Sequence, residues 1–455
     1  MTAGDHPVIG LLDHLGLDRV HVAGRLADDV RAVIGDDPHR IASLTVVAPN
    51  LVPVDEVRQL AERTTVLASD LALFGDLAAA ALDALPAVTS VPLTGVETVL
   101  WTDLAADHGE LISAAIDRRA AADPIEPPPS APEPSGTIGE VTWRAAGTGP
   151  PLLLLPLGLA PSAWEPMIPT LAERFTVIVA GGATLGSIPM LESRGRSDGY
   201  RSMLDRLLGW IDVQPGEAMA EIGCGTGVVV RWLEHRSGGE NGIAGADLNR
   251  YLLGEARDLA RADGLTPVDP DPSVQPPVGR IRFDEGDAER LPYPDDTFDV
   301  VISTTVMEEV DASAMMAELV RITRPGGRIG VIVRATDLAM TVQAPLPEED
   351  LAGFATVRRR PEGVGCASAT LYPRFRDAGL VDLRFGPYLA VFDDADGPLE
   401  RYVLGAYTGQ LDDGSAARWA DAIGAAERDG TFFLAWPHHL AVGTVPGADR
   451  SDRDR

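Results

Sequence analysis

The sequence predicts an α/β protein with two domains, and three observations carry this prediction. The chain has 455 residues, too many for one ordinary domain of roughly 150 residues. Short apolar runs alternate with helical patterns along most of the chain, as expected for βαβ units. A proline-rich linker at 121–138 has too few apolar residues to form a core. We therefore expect domains at 1–200 and 201–446, with a disordered polar tail at 447–455.

Composition excludes several classes of protein. The net charge is −30 and every basic residue is Arg, so the surface repels phosphate backbones and nucleic-acid binding is not expected. No apolar run approaches the roughly 20 residues that span a bilayer, and the start "MTAGDHPVIG" lacks the pattern of a secretion signal. Cys224 and Cys366 are too few for a disulfide framework or a zinc site. We expect a cytoplasmic protein that binds neither a membrane nor a metal.

The first 200 residues contain two groups of expected strands. Before the linker, "DRVHVAG", "IASLTVVAP" and "TTVLASD" are short apolar runs, and helical patterns such as "VDEVRQLAER" separate them. After the linker come "GEVTWRAAG", "PLLLLPLG" and "FTVIVAGG", with the helical pattern "SAWEPMIPTLAER" before the last. The alternation of strands and helices in both groups is typical of βαβ units.

A glycine-rich turn dominates the second domain. The expected strand "GEAMAEIG" carries Glu221 at its carboxyl end, and the helix "VVVRWLEH" follows the turn. Between them stand Gly223, Gly225 and Gly227. Glycines at this spacing let the backbone approach a ligand and bend sharply into a helix, whose first amides are free to donate. The turn therefore predicts a ligand site at the carboxyl edge of a sheet.

Two more acids follow later strands. Asp247 ends the strand "NGIAGAD", where a carboxylate can accept both hydroxyls of a ribose. Asp287 follows the strand "RIRFDEG", and "FDVVIS" and "RITRPGGRIGVIV" supply the fourth and fifth strands. Taken singly, glycine turns and strand-end acids also occur as simple caps. A dinucleotide fingerprint would require glycine at Val228, so nicotinamide binding is the weaker alternative.

In this order the motifs resemble the class I S-adenosylmethionine-dependent methyltransferases, particularly the ubiquinone and menaquinone C-methyltransferase group. The resemblance covers about residues 201–335, and "DGTFFLAWPHHLAVGTVP" is similar to the last strands of that group. It implies a Rossmann-like seven-stranded sheet, S-adenosylmethionine as cofactor and a small-molecule acceptor. It also implies that Asp247 binds the ribose, that Leu248 packs on the adenine and that Asp287 bonds the adenine amine. The implied cofactor-binding residues are Glu221, Gly223, Gly225, Gly227, Asp247, Leu248, Asp287, Ala288, Ser303 and Thr304.

The sequence defines the catalytic residues less closely than the cofactor-binding residues. Methyl transfer requires alignment of the reactants, and a weak nucleophile also needs a base. Related enzymes often carry a His near the position of "TTVMEEV", where this chain has Glu308 and Glu309. Glu309 is a candidate base if burial raises its pKa, and an acidic helix start is the alternative. His438 and His439 are the other candidates, and neighbours in a strand face opposite sides.

The segment 337–400 is expected to cover the cofactor and form the acceptor pocket, by analogy with the related enzymes. Tyr372, Arg374 and Tyr388 are the residues expected to line it. The run "RRR" at 358–360 either binds an anionic acceptor or balances nearby acids, and we favour the second role.

The amino-terminal domain carries a second resemblance, to the α/β-hydrolases. Residues 11–49 are similar to the nucleophile-strand region and 139–180 to the start of that fold, in reverse order. This implies a circular permutation, with two broken fragments as the alternative. The nucleophile elbow G-x-S-x-G aligns with "GRLAD", which has Leu26 in place of Ser. Asp70 near the acid position lacks its partners, so we expect a noncatalytic domain that acts in scaffolding, substrate cover or homodimerisation.

These features predict an S-adenosylmethionine-dependent methyltransferase that acts on a small molecule in specialised (natural-product) metabolism. Two alternatives stay open. One is a protein that binds the cofactor and uses its positive charge for a cyclisation or elimination, and the other is a noncatalytic binding protein. Release of S-adenosylhomocysteine distinguishes the first function from both alternatives.

Overall fold

The computed structural model describes residues 7–25, 37–49, 52, 54–71, 75–97, 102–182, 185–355, 364–395, 397–408 and 411–447. The chain divides into two compact units, unit 1 at Met1–Pro189 and unit 2 at Met190–Arg455. The boundary lies before the expected residue 200, because the helix at 198–211 packs on the sheet of unit 2. The expected polar tail at 447–455 lies outside the described residues from 448 onwards.

Unit 1 is a mixed α/β layer. Its strands are β1 Val20–Gly24, β2 Ile41–Val47, β3 Thr64–Leu71, β4 Thr89–Glu97, β5 Ser135–Ile138, β6 Val141–Ala146, β7 Pro151–Leu154 and β8 Thr176–Gly182. Its helices are α1 Pro7–His14, α2 Val54–Arg58, α3 Gly75–Asp83, α4 Leu104–Ala122 and α5 Ile168–Ala172. The described strands pair in the order β4-β3-β2-β1-β7-β8-β6-β5. Strands β4 to β1, β7 and β8 pair parallel with their neighbours in this order. Strand β6 pairs antiparallel with both β8 and β5.

The linker between the two halves of unit 1 is shorter than expected. Helix α4 continues to Ala122, and β5 begins at Ser135. Residues 135–138 belong to the sheet because their backbone pairs with 141–144 in an antiparallel hairpin. The proline-rich segment without regular structure therefore covers 123–134 rather than 121–138.

Unit 2 contains the glycine-rich turn. Its strands are β9 Ala218–Ile222, β10 Gly242–Asp247, β11 Arg280–Glu285, β12 Phe298–Thr304, β13 Thr323–Arg334, β14 Thr341–Gln343, β15 Val381–Phe392 and β16 Phe433–Thr444. Helix α6 Ile188–Arg196 begins at the unit boundary. The other helices are α7 Asp198–Ile211, α8 Val228–Ser237, α9 Arg250–Ala262, α10 Ala312–Ile322, α11 Glu348–Ala355, α12 Leu371–Asp377, α13 Pro398–Thr408 and α14 Asp413–Arg428.

The sheet of unit 2 brings the carboxyl ends of its central strands to one edge. The order is β11-β10-β9-β12-β13-β16-β14, and β15 pairs with β16. Strands β9 to β13 run parallel, whereas β16 is antiparallel to both β13 and β15. The described sheet has eight strands instead of the expected seven, because the short strand Thr341–Gln343 pairs with β16.

Apolar sequence explains why this sheet is central. Every residue of β9 is buried, as expected for a parallel strand with helices on both faces. Helix α7 buries one apolar face formed by Tyr200, Met203, Leu204 and Leu207, and Ser197 caps it by accepting a hydrogen bond from the Tyr200 amide. Among the described residues, no helix is both long enough and apolar enough to cross a membrane.

Candidate functional site

The glycine-rich turn connects β9 to α8 and leaves open space beside Gly225. Gly225 has φ +53, and a Cβ built there would lie no nearer than 3.9 Å to a neighbour, the Leu191 Cδ1 atom. Gly227 has φ +71, and a Cβ there would lie 2.5 Å from the Phe283 ring. The first glycine therefore leaves room for a ligand, whereas the second is required by the packing of the turn against β11.

Asp247 fixes its carboxylate beside this turn. Its Oδ2 atom accepts a hydrogen bond of 2.8 Å from the Gly225 amide, and its Oδ1 atom accepts one of 2.8 Å from the Asn249 amide. Burial raises the pKa of Asp247, although these two amide bonds oppose the shift. Each carboxylate oxygen can accept a second hydrogen bond, so the pair can hold the two hydroxyls of a ribose.

Glu221 lies at the end of the neighbouring strand and is almost completely buried, with 2% of its surface exposed. Its Oε2 atom has no hydrogen-bond partner among the described residues. Burial raises the pKa of Glu221 well above the usual value, and the nearby Asp247 carboxylate adds to the shift. The Val230 amide and the Arg194 and Arg231 charges oppose this shift of the pKa, and a buried carboxylate oxygen without a hydrogen-bond partner still favours a cation bound beside it. This position is suited to a positively charged group of a ligand.

The residues expected to contact adenine lie on the outer side of the same edge. Leu248 is a large apolar side chain that is 54% exposed, directly after Asp247. Ala288 is buried, whereas Asp287 is exposed and its Oδ1 atom accepts a 2.9 Å hydrogen bond from the Glu289 amide. An exposed leucine beside a fixed carboxylate is consistent with a flat apolar ligand, although the Asp287 bond is also that of a simple turn.

The end of β12 supplies hydroxyl groups. Ser303 is buried and donates a 2.8 Å hydrogen bond to the Ile222 carbonyl, which fastens β12 to β9. The Thr304 Oγ1 atom is buried and has no hydrogen-bond partner among the described residues. Thr305 follows with φ +56, a backbone conformation that β-branched residues rarely adopt. Such strain commonly persists where a ligand site requires it.

Glu309 is held in an ion pair. The Arg334 Nη2 atom lies 2.6 Å from Glu309 Oε1, and the Arg334 Nε atom lies 2.9 Å from Glu308 Oε1. The Arg334 amide also donates to Glu308 Oε1 at 3.0 Å. The two acids therefore fasten the loop after β12 to the end of β13, and the second Glu308 oxygen is buried without a hydrogen-bond partner within the described chain.

The two adjacent histidines have different surroundings, as expected from their alternation in β16. His439 is bonded on both ring nitrogens, since the Tyr372 hydroxyl lies 2.6 Å from Nδ1 and Asp337 Oδ1 lies 2.8 Å from Nε2. Tyr372 donates to Nδ1 and Nε2 donates to the carboxylate, because a carboxylate only accepts. Burial, with Asp337, raises the pKa of Tyr372 to about 12, so the phenol stays protonated as a donor.

His438 faces the other side and keeps one nitrogen available. Its Nδ1 atom donates to the Trp436 carbonyl at 3.0 Å, since a carbonyl can only accept. The Nε2 atom makes no hydrogen bond to any described residue and therefore carries a lone pair. Burial lowers the pKa of His438 to about 3, and the Arg334 and Arg194 charges act in the same direction. His438 is thus a neutral acceptor.

The residues expected to line an acceptor pocket do not lie together. Tyr372 is bonded to His439, and Arg374 donates a 3.0 Å hydrogen bond to Ser313 at an exposed position. Tyr388 is half-buried on β15, where its backbone pairs with that of His438. The arginine run 358–360 and the aligned nucleophile position Leu26 lie outside the described residues. No cluster of metal-binding side chains occurs in the part of the chain that the structure describes.

Sequence reasoning missed Arg194 and Tyr200. Arg194 donates a 3.2 Å hydrogen bond to Thr305 Oγ1, and its guanidinium lies 5.7 Å from the centre of the Tyr200 ring. The Tyr200 ring in turn lies 6.4 Å from the His438 ring, at a right angle. The available signal was a tyrosine on the apolar face of the α7 pattern, which brings a hydroxyl into a core. No local pattern marks Arg194.

Comparison with known proteins finds a family match within unit 2. Residues 220–331 match the family described as methyltransferase domain, which uses S-adenosylmethionine. The chain is 34% identical over 146 residues to Methyltransferase GfsG of Streptomyces halstedii, covering 31% of this chain and 48% of the relative. It is 30% identical over 120 residues to the ubiquinone/menaquinone biosynthesis C-methyltransferase UbiE of Vibrio parahaemolyticus, covering 26% and 42%. The match thus spans less than half the length of these relatives.

The similarity to solved structures is weaker than the similarity to these relatives. The YcgJ protein from Bacillus subtilis has a TM-score of 0.36 at 16% identity, covering 54% of this chain and 99% of that one. The [4+2]-cyclase SpnF has a TM-score of 0.35 at 20% identity, covering 57% and 93%. At these scores the likenesses carry no argument about function. The segment 220–331 is a methyltransferase domain, and its cofactor is S-adenosylmethionine.

Proposed function

We propose that the whole protein is an S-adenosylmethionine-dependent methyltransferase that acts on a small-molecule acceptor. The observation that carries this proposal is Glu221, a buried acid whose Oε2 atom has no hydrogen-bond partner among the described residues, next to the glycine-rich turn. The cofactor carries a sulfonium and an ammonium group, and either cation would stabilise this carboxylate. Asp247 beside it retains acceptor capacity for two ribose hydroxyls.

The remaining cofactor contacts follow from the same edge of the sheet. We propose that Leu248 packs on the adenine, and that Asp287 and Ala288 flank its amine. The exposed apolar surface of Leu248 supports this assignment. The hydroxyl of Thr304, which lacks a described partner, is available toward the cofactor or the acceptor, whereas Ser303 acts by fixing the end of β12.

Of the three candidate bases, we propose His438 for acceptors that must lose a proton. Glu309 is committed to Arg334, and both nitrogens of His439 are hydrogen bonded. His438 alone keeps a lone pair on Nε2. The cofactor supplies the methyl group when it is bound, and the protein's part is to orient the acceptor and receive its proton.

We propose that unit 1 is a noncatalytic, circularly permuted hydrolase-like domain. Its sheet order supports this, because β1 to β4 form one contiguous half and β5 to β8 form the other. A permutation that joins the old ends through the proline-rich segment predicts two such halves. Asp70 lies on β3, and the position aligned with the nucleophile carries Leu26. A role in natural-product metabolism, a cytoplasmic location and a homodimer through unit 1 stay predictions.

Incubation with S-adenosylmethionine labelled in its methyl group tests the proposed activity. A panel of hydroxyl-bearing natural-product scaffolds serves as acceptors, and mass spectrometry follows both products. The proposal predicts equal amounts of labelled acceptor and S-adenosylhomocysteine. An acceptor that cyclises without S-adenosylhomocysteine would support the nonmethylating alternative. Asp258→Ala, an exposed change in α9, is the control for Asp247→Ala, which should lose turnover.

A further inference from the structure

A polar cluster at the carboxyl edge of the unit 2 sheet is not explained by the cofactor contacts. It consists of Arg194 from α6, Tyr200 from α7, Thr305 directly after β12 and His438 from β16. Each of these side chains comes from a different element or loop. Their convergence therefore requires the folded domain and does not follow from one local motif.

Arg194 is a half-buried cation without an acidic partner. Its only hydrogen bond among the described residues runs to the Thr305 hydroxyl, and it forms no ion pair there. Glu308 and Glu309 both pair with Arg334, and the buried Glu221 feels the Arg194 charge, which lowers its pKa, without forming an ion pair with it. A guanidinium has five donors in a fixed fork, so several of them are left for a ligand. An oxyanion is the group that best uses them.

Tyr200 supplies a second donor to the same space. Its hydroxyl is buried, its polar neighbour is the Thr305 side chain, and it makes no hydrogen bond shorter than 3.5 Å among the described residues. Burial raises the pKa of Tyr200, opposed by the Arg194 charge, so the phenol stays protonated. A buried hydroxyl that can donate costs free energy until it meets an acceptor. Both donors therefore require an electron-rich atom.

His438 adds the complementary group. Its free Nε2 lone pair accepts a hydrogen, whereas Arg194 and Tyr200 donate. An acceptor hydroxyl satisfies all three, because its hydrogen goes toward the histidine and its oxygen receives the two donors. A carboxylate has no hydrogen to offer to His438 at neutral pH.

The strained backbone of Thr305 is a separate observation that indicates a ligand site. Its φ of +56 is a strained conformation for a β-branched residue, and its amide is held by the Ile332 carbonyl at 2.8 Å. The strain turns the Thr305 hydroxyl to a place where it accepts from Arg194. The guanidinium is thereby held beside the Tyr200 ring.

We propose that Arg194, Tyr200 and His438 form the acceptor-oxygen site, which selects a phenol- or enol-type hydroxyl and stabilises its oxyanion. This inference rests on the proposed methyltransferase function. The O–H bond of the acceptor breaks, its electron pair stays on the oxygen beside Arg194, and the proton passes to His438 Nε2. Phenols and enols suit this step because their oxyanions are delocalised, and an oxyanion is the stronger nucleophile.

Absorption spectroscopy with para-nitrophenol tests the site without turnover. The full-length protein is saturated with S-adenosylhomocysteine, and para-nitrophenol is added at a pH where the free phenol is mostly protonated. The expected result is the yellow phenolate spectrum in the bound state. Para-nitroanisole, which has no ionisable hydroxyl, should give no spectral change.

Variants assign the effect to the cluster. Arg194→Met should weaken phenolate binding by about tenfold or more, as expected when a charged hydrogen bond is lost. Tyr200→Phe keeps the ring under Arg194 and should cause a smaller loss. Arg201→Met, an exposed change on the same helix as Tyr200, is the matched control and should bind as the unchanged protein does.

The outcomes separate this inference from the proposed function. If S-adenosylhomocysteine binds but no phenolate spectrum appears, the oxygen site is wrong and the methyltransferase proposal stands. An equal spectrum in Arg194→Met also overturns the inference, as does tighter binding of benzoate than of para-nitrophenol, which would indicate a carboxylate anchor. Failure of S-adenosylhomocysteine to bind the unchanged protein overturns the proposed function itself.

Discussion

Glu221 and Asp247 are neighbouring carboxylates at the ends of adjacent strands, and burial raises the pKa of both. Like charges this close repel each other, which costs free energy. Asp247 offsets part of it with two backbone amides, whereas the Glu221 Oε2 atom has no described partner. The pair is therefore suited to a ligand with a diol at one end and a cation at the other.

Removing the Asp247 carboxylate should weaken binding of S-adenosylhomocysteine by about 1–3 kcal/mol, because charged hydrogen bonds to the ribose are lost. The change is Asp247→Ala, and isothermal titration calorimetry measures the affinity. Asp258→Ala removes an exposed acid on the following helix and should leave the affinity unchanged. Equal binding by both variants would show that Asp247 does not contact the ligand.

His438 makes the stability of unit 2 sensitive to acid. Its pKa is about 3 when folded and 6.5 in the unfolded chain, so the unfolded state binds the extra proton between these values. The stabilisation is complete above pH 6.5 and falls as the pH is lowered toward 3. Between pH 7 and pH 5 the loss should be about 2 kcal/mol from this residue.

Replacing the residue tests this assignment. His438→Gln cannot titrate, so the difference in unfolding free energy between pH 7 and pH 5 should shrink by that amount in urea denaturation. His235→Gln changes a histidine in the last turn of α8 and serves as the control. An unchanged pH dependence in the His438 variant would mean that this histidine is not held neutral by burial.

Helix α6 is fastened to the glycine-rich turn by a buried ion pair. Glu192 accepts a 2.6 Å hydrogen bond from the Thr226 hydroxyl and also binds the Arg231 guanidinium. Arg231 donates to the Thr226 carbonyl at 2.7 Å and to Asp263 at 2.8 Å. Leu191 of the same helix faces Gly225. The helix therefore holds the conformation of the turn and covers it.

Glu192→Ala should destabilise unit 2 by about 3 kcal/mol, because Arg231 would stay buried with only Asp263 as a charged partner. Urea denaturation followed by tryptophan fluorescence measures the change. Asp205→Ala breaks an exposed ion pair with Arg236 and should cost less than about 1 kcal/mol. Similar losses in both variants would mean that the buried ion pair contributes no more to the free energy of unfolding than the exposed one.

The strands and the glycine-rich turn could be predicted because their signals are local. Apolar runs mark β9, β10 and β12, and the spacing of Gly223, Gly225 and Gly227 marks the turn. The extra strand β14 was missed since three residues carry too little pattern. The proposed acceptor-oxygen site could not be predicted from the sequence, because Arg194 and Tyr200 contact Thr305 and His438 only in the folded domain.

At the scale of the whole chain, the sequence predicts the family and the site of unit 2 more closely than it predicts the role of unit 1. Unit 2 has a family match over 220–331 and a site whose carboxylates fit the cofactor. Unit 1 has a sheet of two contiguous halves, which the proposed permutation predicts. We propose that unit 1 is noncatalytic, since Leu26 stands where the hydrolase resemblance would require an attacking serine.

Calorimetric titration of the purified full-length protein with S-adenosylmethionine, S-adenosylhomocysteine and NAD tests the central claim most directly. The arrangement of Glu221, Asp247 and the glycine-rich turn predicts binding of both adenosyl compounds with dissociation constants of the order of micromolar and no binding of NAD. Binding of NAD, or no binding of any of the three compounds, would contradict the account.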